Sequence, residues 1–209
     1  MRTSTILTLA VSIFAAVSSA ITGDEGVTEF QKLATATTEY NNQLSMVNDE
    51  TGLSEGYRAS IGLIMLKDAF AASIAKLKEG VDPDPGKVPP EVSGGDADRI
   101  LAEAKTFLDL LDVSLGELQR IHDITTATPH HYDIQSALEP IISADSSSLS
   151  SISGHLQVWL PIDKWTPTEK LFNPEIAKLS SVAKRCWDSL LRGRGNMMAS
   201  EYGLYRHAQ

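Results

Sequence analysis

The sequence predicts an all-α protein, a bundle of about five long amphipathic helices forming a single domain behind a signal peptide. Two observations lead there. Apolar residues recur at three- and four-residue steps through most of the chain, and the breaks in that period fall at glycine, proline and threonine-rich punctuation. A third observation limits how such a bundle holds together: Cys186 is the one cysteine, so a secreted chain here has no internal disulfide and must rely on its apolar core.

The period is clearest from Asp98 to Ile121, where Ile100, Leu101, Ala104, Phe107, Leu108, Leu111, Leu115, Leu118 and Ile121 share a helical face. Such a helix is on the order of 35 Å long at 1.5 Å per residue, so its partners must be long helices too.

In chain order, Met1-Arg2, the apolar run Ile6 to Val17 and the small residues Ser18, Ser19 and Ala20 match the three regions of a secretory signal peptide over residues 1–20. The run is shorter than the roughly 20 apolar residues of a membrane span, and no later stretch could serve as one. The helical domain is expected over 21–192 and a loosely ordered tail over 193–209.

Thr22 and Glu25 have the spacing of a capping box, and a first helix follows with the stripe Val27, Phe30, Leu33, Ala34, Thr37, Tyr40, Leu44 and Val47. A second is expected from about Ser54 to Glu79. Leu63, Leu66, Phe70, Ile74 and Leu77 form one line, with Tyr57, Ile61, Ile64 and Ala71 beside it, and a stripe that wide predicts a central position. Gly80 to Gly95, with prolines at 83, 85, 89 and 90, reads as a long connection, either a flap or a crossover spanning the bundle, and the absence of titratable clusters favours the crossover. Asp96 is the expected cap of the third helix.

Thr128-Pro129 marks the start of a fourth helix, which Pro140 should kink or split. Ser143 to Ser153 resembles linker in composition, but the period passing through it predicts a helix with a serine-rich outer face. Val158 to Pro174 reads as an apolar loop that either closes one end of the bundle or presents Trp159, Trp165 and Phe172 as an adhesive surface. Asn173-Pro174 predicts a last helix ending near Gly193, in which Cys186 is either a small buried hydrophobe or an exposed thiol that bridges to another chain.

A net charge of -9 disfavours attraction to nucleic acid and to anionic lipid. There is no nucleophile elbow, phosphate-cradling glycine loop, dinucleotide fingerprint or helical zinc motif, and no N-glycosylation acceptor. His122, Asp123, His130, His131 and Asp133 lack the spacing of a ligand set and read as a solvent-facing cluster. The expectation is a protein without catalytic function, cofactor or metal.

The start ITGDEGVTEFQKLATATTEYNNQL, the middle DADRILAEAKTFLDLL and the order of amphipathic helices over roughly Ile21 to Leu191 resemble the fungal hydrophobic surface-binding protein A family, which includes cell-wall galactomannoproteins. The resemblance implies a protein of the extracellular space or cell wall. Its partner would be a hydrophobic surface, with a secreted hydrolase as a further partner, or a fatty-acid-like lipid held in an apolar channel between helices. The channel residues expected under that reading are Leu66, Phe70, Leu108, Leu111, Leu115, Leu149 and Val182; the alternative is that these seven fill a dry core. The competing function is a secreted helical inhibitor or effector that docks to an enzyme or host protein.

Overall fold

The computed structural model describes residues 21–47, 52–81, 92–126 and 131–206, with side chains at 21–47, 61–79, 92–123, 142–185 and 188. Among these there are five α-helices and no strand: α1 (Gly23–Ser45), α2 (Gly52–Val81), α3 (Gly94–Thr126), α4 (His131–Trp159) and α5 (Trp165–Arg206), with a 3₁₀ turn at Ile162–Lys164. The expected signal peptide, the Thr128-Pro129 cap and the side chains of His130, His131, Asp133, Cys186 and Trp187 lie outside the described residues.

The first helix forms as its sequence predicts. Thr22 Oγ1 accepts from the Glu25 amide at 3.2 Å, and Glu25 Oε2 accepts from the Thr22 amide at 2.7 Å, which satisfies two donors that a helix start leaves open. Hydrogen bonding to Thr22, from its backbone first and its side chain next, holds the Glu25 carboxyl below its ordinary value. Val27, Phe30, Leu33, Thr37, Tyr40 and Leu44 form the buried face.

The third helix starts one turn earlier than expected. Ser93, rather than Asp96, is its cap: Ser93 Oγ accepts from the Asp96 amide at 3.1 Å and donates to Asp96 Oδ2 at 2.8 Å. Asp96 thus takes the reciprocal position of the box. Of the apolar face expected along α3, Leu101 alone is only partly buried.

Cross-helix contacts fix the directions. Arg99 pairs with Asp24, Asn41 Nδ2 donates to the Leu110 carbonyl, and Arg120 donates to the Leu44 carbonyl, so α1 and α3 run parallel. Lys164 with Asp98, Lys178 with Asp112 and Arg185 with Gln119, each 66 positions apart, make α5 parallel to α3. The remaining helices, α2 and α4, run the other way. Packing is most extensive in α4 with α5, α1 with α3, and α2 with α4. The result is two layers, α2, α4 and α5 side by side over α1 and α3.

Several expectations change. The central helix of the three-helix layer is α4, not α2: Ile61, Ile64 and Ala71 are exposed, because the wide stripe of α2 exceeds what α1 and α4 cover. The end of α2 and the start of α3 lie at one end of the bundle, since Lys76 on α2 and Arg99 on α3 are both near the first turn of α1. The expected crossover between them, at 82–91, lies outside the described residues. The fourth helix is continuous through Pro140. Its serines suit a helix because Ser148, Ser150 and Ser151 each donate to the carbonyl one turn back, and Ser146 meets Ser180 of α5 at 3.0 Å.

The apolar stretch after Val158 is mostly helix, not loop. Helix α5 begins at Trp165, passes through Pro174 and continues beyond Gly193 to Arg206. Pro167 falls in the first turn, where a missing amide costs nothing. Pro174 removes one hydrogen bond, but it faces outward while Phe172 and Leu179 are buried on the same helix, so tertiary packing outweighs the local stop signal.

Five helices contribute large aromatics between the layers: Phe30, Phe70, Phe107, Trp159 and Phe172, all nearly inaccessible. Phe70 meets Phe107 edge-on at 5.6 Å, and Phe30 meets Phe172 at 6.3 Å. Trp159 fits because α1 has a glycine beneath it: a Cβ on Gly26 would lie 2.4 Å from Trp159 Cη2.

That contact gives a paired prediction. Gly26→Ala should lower the unfolding free energy by about 1–3 kcal/mol through overpacking against Trp159, despite alanine's better helix propensity. Gly116→Ala, at an exposed α3 position where an added Cβ meets nothing within 4 Å, should raise it by about 1 kcal/mol. Urea unfolding of the two variants beside the parent checks both signs.

Candidate functional site

Two features of the described residues are not explained by packing alone. One is an apolar corner on the surface, and the other is a carboxyl group inside.

The corner is where α4 hands over to α5. The stripe Leu149, Ile152, Leu156 and Trp159 points inward, which leaves Val158 on the outer side of the last turn, 56% exposed. Leu160 turns back into the core, Pro161 reverses the chain in an extended conformation, and Ile162 stands out on the 3₁₀ turn at 77% exposure. Trp165, 43% exposed, completes the group. The backbone beneath is tied down: Trp165 Nε1 donates to the Leu160 carbonyl at 3.2 Å, Lys164 N to the Pro161 carbonyl at 2.8 Å, and Thr168 Oγ1 to the Lys164 carbonyl at 2.8 Å. Lys164 Nζ reaches Asp98 on α3 at 2.6 Å, and that hydrogen bond raises the ammonium above its ordinary value. An apolar group this exposed on a corner this constrained has little ordering cost left when it meets a surface.

Of the adhesive residues expected from sequence, Trp165 is therefore exposed and Trp159 and Phe172 are not. They are buried because each falls on the inward stripe of its helix. Val158 and Ile162 take their place. The spacing from Leu149 to Trp159 already carries this signal, since at 3.6 residues per turn Val158 lies about 200° around the helix from Leu156 and so on the side away from it.

A second apolar strip, Ile61, Ile64 and Met65, lies exposed on the outer face of α2. A shallow, open groove of about 380 Å³ on α1 is bounded by Thr28, Gln31, Lys32, Thr35, Ala36 and Glu39.

All seven expected channel residues are brought together in one continuous buried cluster, with Leu66 and Phe70 from α2, Leu108, Leu111 and Leu115 from α3, Leu149 from α4 and Val182 from α5. Their inward placement follows directly from the helical period. Phe70 meets Phe107 edge-on within that cluster.

The buried carboxyl is Asp145, on the same α4 face as Ile142 and Leu149 and 1% exposed. Neither carboxylate oxygen has a hydrogen-bond partner. Burial pushes its pKa up to about 8, opposed by the positive charge of Lys67 on α2. The other buried acids differ. Glu29 pairs with Lys32 at 2.8 Å and lies 3.4 Å from Ser73 Oγ, and Glu175 pairs with Lys178 at 2.9 Å. Polar atoms without partners also include Trp159 Nε1 and Glu175 Oε2, so the interior between the layers is not wholly apolar.

Among the described residues no cluster of His, Cys, Asp and Glu is placed to hold a metal ion, and no helix is long and apolar enough to cross a membrane. His122, expected at the solvent-facing cluster, is mostly covered and lies 3.3 Å from Asp123 Oδ1.

Asp145 has a folded-state pKa above its unfolded value of about 3.9, so stability is fully present in acid, where both states hold the proton, and declines as pH rises from about 4 to about 8. Asp145→Asn should therefore gain on the order of a few kcal/mol over the parent at pH 8 and little at pH 4. Urea titrations at the two pH values measure the difference. The chain matches no family model, no curated protein and no solved structure.

Proposed function

We propose that this chain is a secreted, non-catalytic protein that adsorbs to apolar surfaces, with the corner formed by Val158, Ile162 and Trp165 as its first point of contact. The observation that carries the reading is the exposure of three large apolar side chains on one tethered turn. Removing such side chains from water contributes roughly 1.5–3 kcal/mol each when burial is complete, which is enough for reversible adsorption by a few groups acting together. The surrounding Asp98, Asp163 and Lys164 remain at the rim in water, and the net charge of -9 directs the protein to neutral rather than anionic surfaces.

The resemblance to the fungal hydrophobic surface-binding protein A family points to the same use, and it also allows lipid to enter between the layers. Docking to an enzyme or host protein is the second reading. What favours it is the Ile61, Ile64 and Met65 strip, whose spacing of three and one suits a helix laid against a partner's groove.

Partition of the purified full chain onto paraffin particles or phosphatidylcholine vesicles distinguishes them. Ile162→Asp should lower the partition coefficient about tenfold or more, the equivalent of at least 1.4 kcal/mol, while Ile64→Asp should leave it within about twofold. If the parent fails to partition, adsorption is not its function. If Ile64→Asp causes the larger loss, the contact surface is α2.

A further inference from the structure

We propose that copies of this chain associate end to end, the far end of α5 in one copy docking on the Val158, Ile162 and Trp165 corner of the next. The inference goes beyond adsorption to apolar surfaces and does not rest on it, although both uses need the same corner.

The lengths of the helices leave α5 unaccompanied at its end. Gln157 with Glu169 and Ser146 with Ser180 fix the antiparallel register of α4 on α5, and they place His131, where α4 begins, level with about residue 195. The pairs 66 positions apart place Thr126, where α3 ends, level with about residue 192. Helix α1 stops earlier still, since Leu44 near its end meets Arg120. Helix α2 is aligned with α4 by Lys67 beside Asp145 and Lys78 near His155, and it begins at Gly52, close to the level of His131. No described helix therefore runs beside the last stretch of α5, about ten residues or 15 Å of helix. An isolated helix that short, with Gly203 inside it, is marginal in water, so its helical state calls for a covering contact.

The two ends of the molecule are complementary in charge and in composition. From Arg192 to Arg206, α5 holds three arginines against Glu201, in a chain whose net charge is -9. Within the unaccompanied part, Met198, Tyr202 and Tyr205 recur at the four- and three-residue steps of one helical face. The corner at the other end offers the counterpart. Val158, Ile162 and Trp165 are exposed there, and in the ion pairs described at that end Asp24, Asp96, Asp98 and Asp163 share two cations, Arg99 and Lys164, which leaves a negative rim. Arginine, methionine and aromatic residues are the types enriched where protein meets protein. An anionic lipid surface also answers arginine, but it repels the acidic body behind it, whereas a second copy presents apolar groups and carboxylates together.

One copy cannot bring these ends together. The corner sits where α5 begins and the arginines where it ends, and a helix of 42 residues is on the order of 60 Å long. Joining the end of one copy to the start of the next is a head-to-tail contact, which generates chains or rings rather than a closed pair. The face of so short a helix is small, and contacts of that size between charged partners are transient and weakened by salt. An apolar surface and a neighbouring copy then compete for the one corner.

Sedimentation velocity of the full chain from about 10 μM to about 500 μM reads this association without any surface present. In about 20 mM salt the weight-average mass should rise past that of two copies as concentration increases, and it should return toward one copy in about 0.5 M salt. Reversing the arginines together (Arg192→Glu, Arg194→Glu and Arg206→Glu) should weaken association about tenfold or more, and Val158→Asn with Ile162→Asn should do the same from the other side. Arg206→Glu alone serves should the triple variant not fold. Mixing the two kinds of variant gives the sharpest reading: each supplies the end the other lacks, so the mixture should form a one-to-one pair and grow no further. A parent that stays single over that range, a parent that stops at a pair, or a mixture that remains single overturns the proposal. So does binding of the parent to phosphatidylglycerol vesicles, lost in the triple variant, while the parent stays single in solution. Partition onto paraffin particles, measured separately, keeps the two readings apart. Association without partition leaves the end-to-end contact standing and removes adsorption, and partition without association does the reverse.

Discussion

The seam between the α1–α3 layer and the α2–α4–α5 layer is what the rest of the structure depends on. Phe30, Phe70, Phe107, Trp159 and Phe172 are buried there, one from each helix, and the tilted and edge-on contacts among the four phenylalanines add to the free energy of removing them from water. Surface ion pairs such as Arg99 with Asp24 between α3 and α1, or Lys105 with Asp109 within α3, are exposed and contribute little to holding the helices together. The one cysteine leaves the chain without an internal disulfide, so loosening this layer of side chains loosens the whole domain.

The seam also explains which parts of the fold are legible in the sequence. Helices α1 and α3 each place one apolar stripe against it, and a stripe at the helical period is a direct record of burial. Their inward residues and the capping box at Thr22 and Glu25 can therefore be named from spacing alone. The wide apolar spread of α2 predicts a central helix, but width says only how much surface is apolar and not how many neighbours arrive to cover it. The end of the chain is harder still. Asn173-Pro174 and Gly193 are local stop signals, and α5 passes both; at Pro174 the burial of Phe172 and Leu179 on either side outweighs the one hydrogen bond the proline removes.

The candidate site shows the same division. The seven expected channel residues are inside, because a helical stripe predicts inwardness well; whether a space lies among them depends on how side chains of different helices fit, which spacing does not encode. Large aromatics in a proline-containing stretch draw attention to Trp159 and Phe172, yet residue size is a weaker guide than phase. The quieter Val158 and Ile162 are out because they are off the stripe. Asp145 is visible too, as an acid between Ile142 and Leu149 on an otherwise apolar line, and it is the sort of local inconsistency that marks a strained or working position.

The parallel run of α1, α3 and α5 has a practical corollary. Gly26 rests on Trp159, so the first turn of α1 and the Val158 to Trp165 corner occupy the same end of the molecule, while Arg185 on α5 has already descended beside Gln119 near the foot of α3. The first turn of α1 therefore shares its end of the molecule with the exposed isoleucine and tryptophan. A label or tether placed toward the other end of the long axis leaves that corner facing outward, so the direction from which the chain is held decides which of its ends can touch anything.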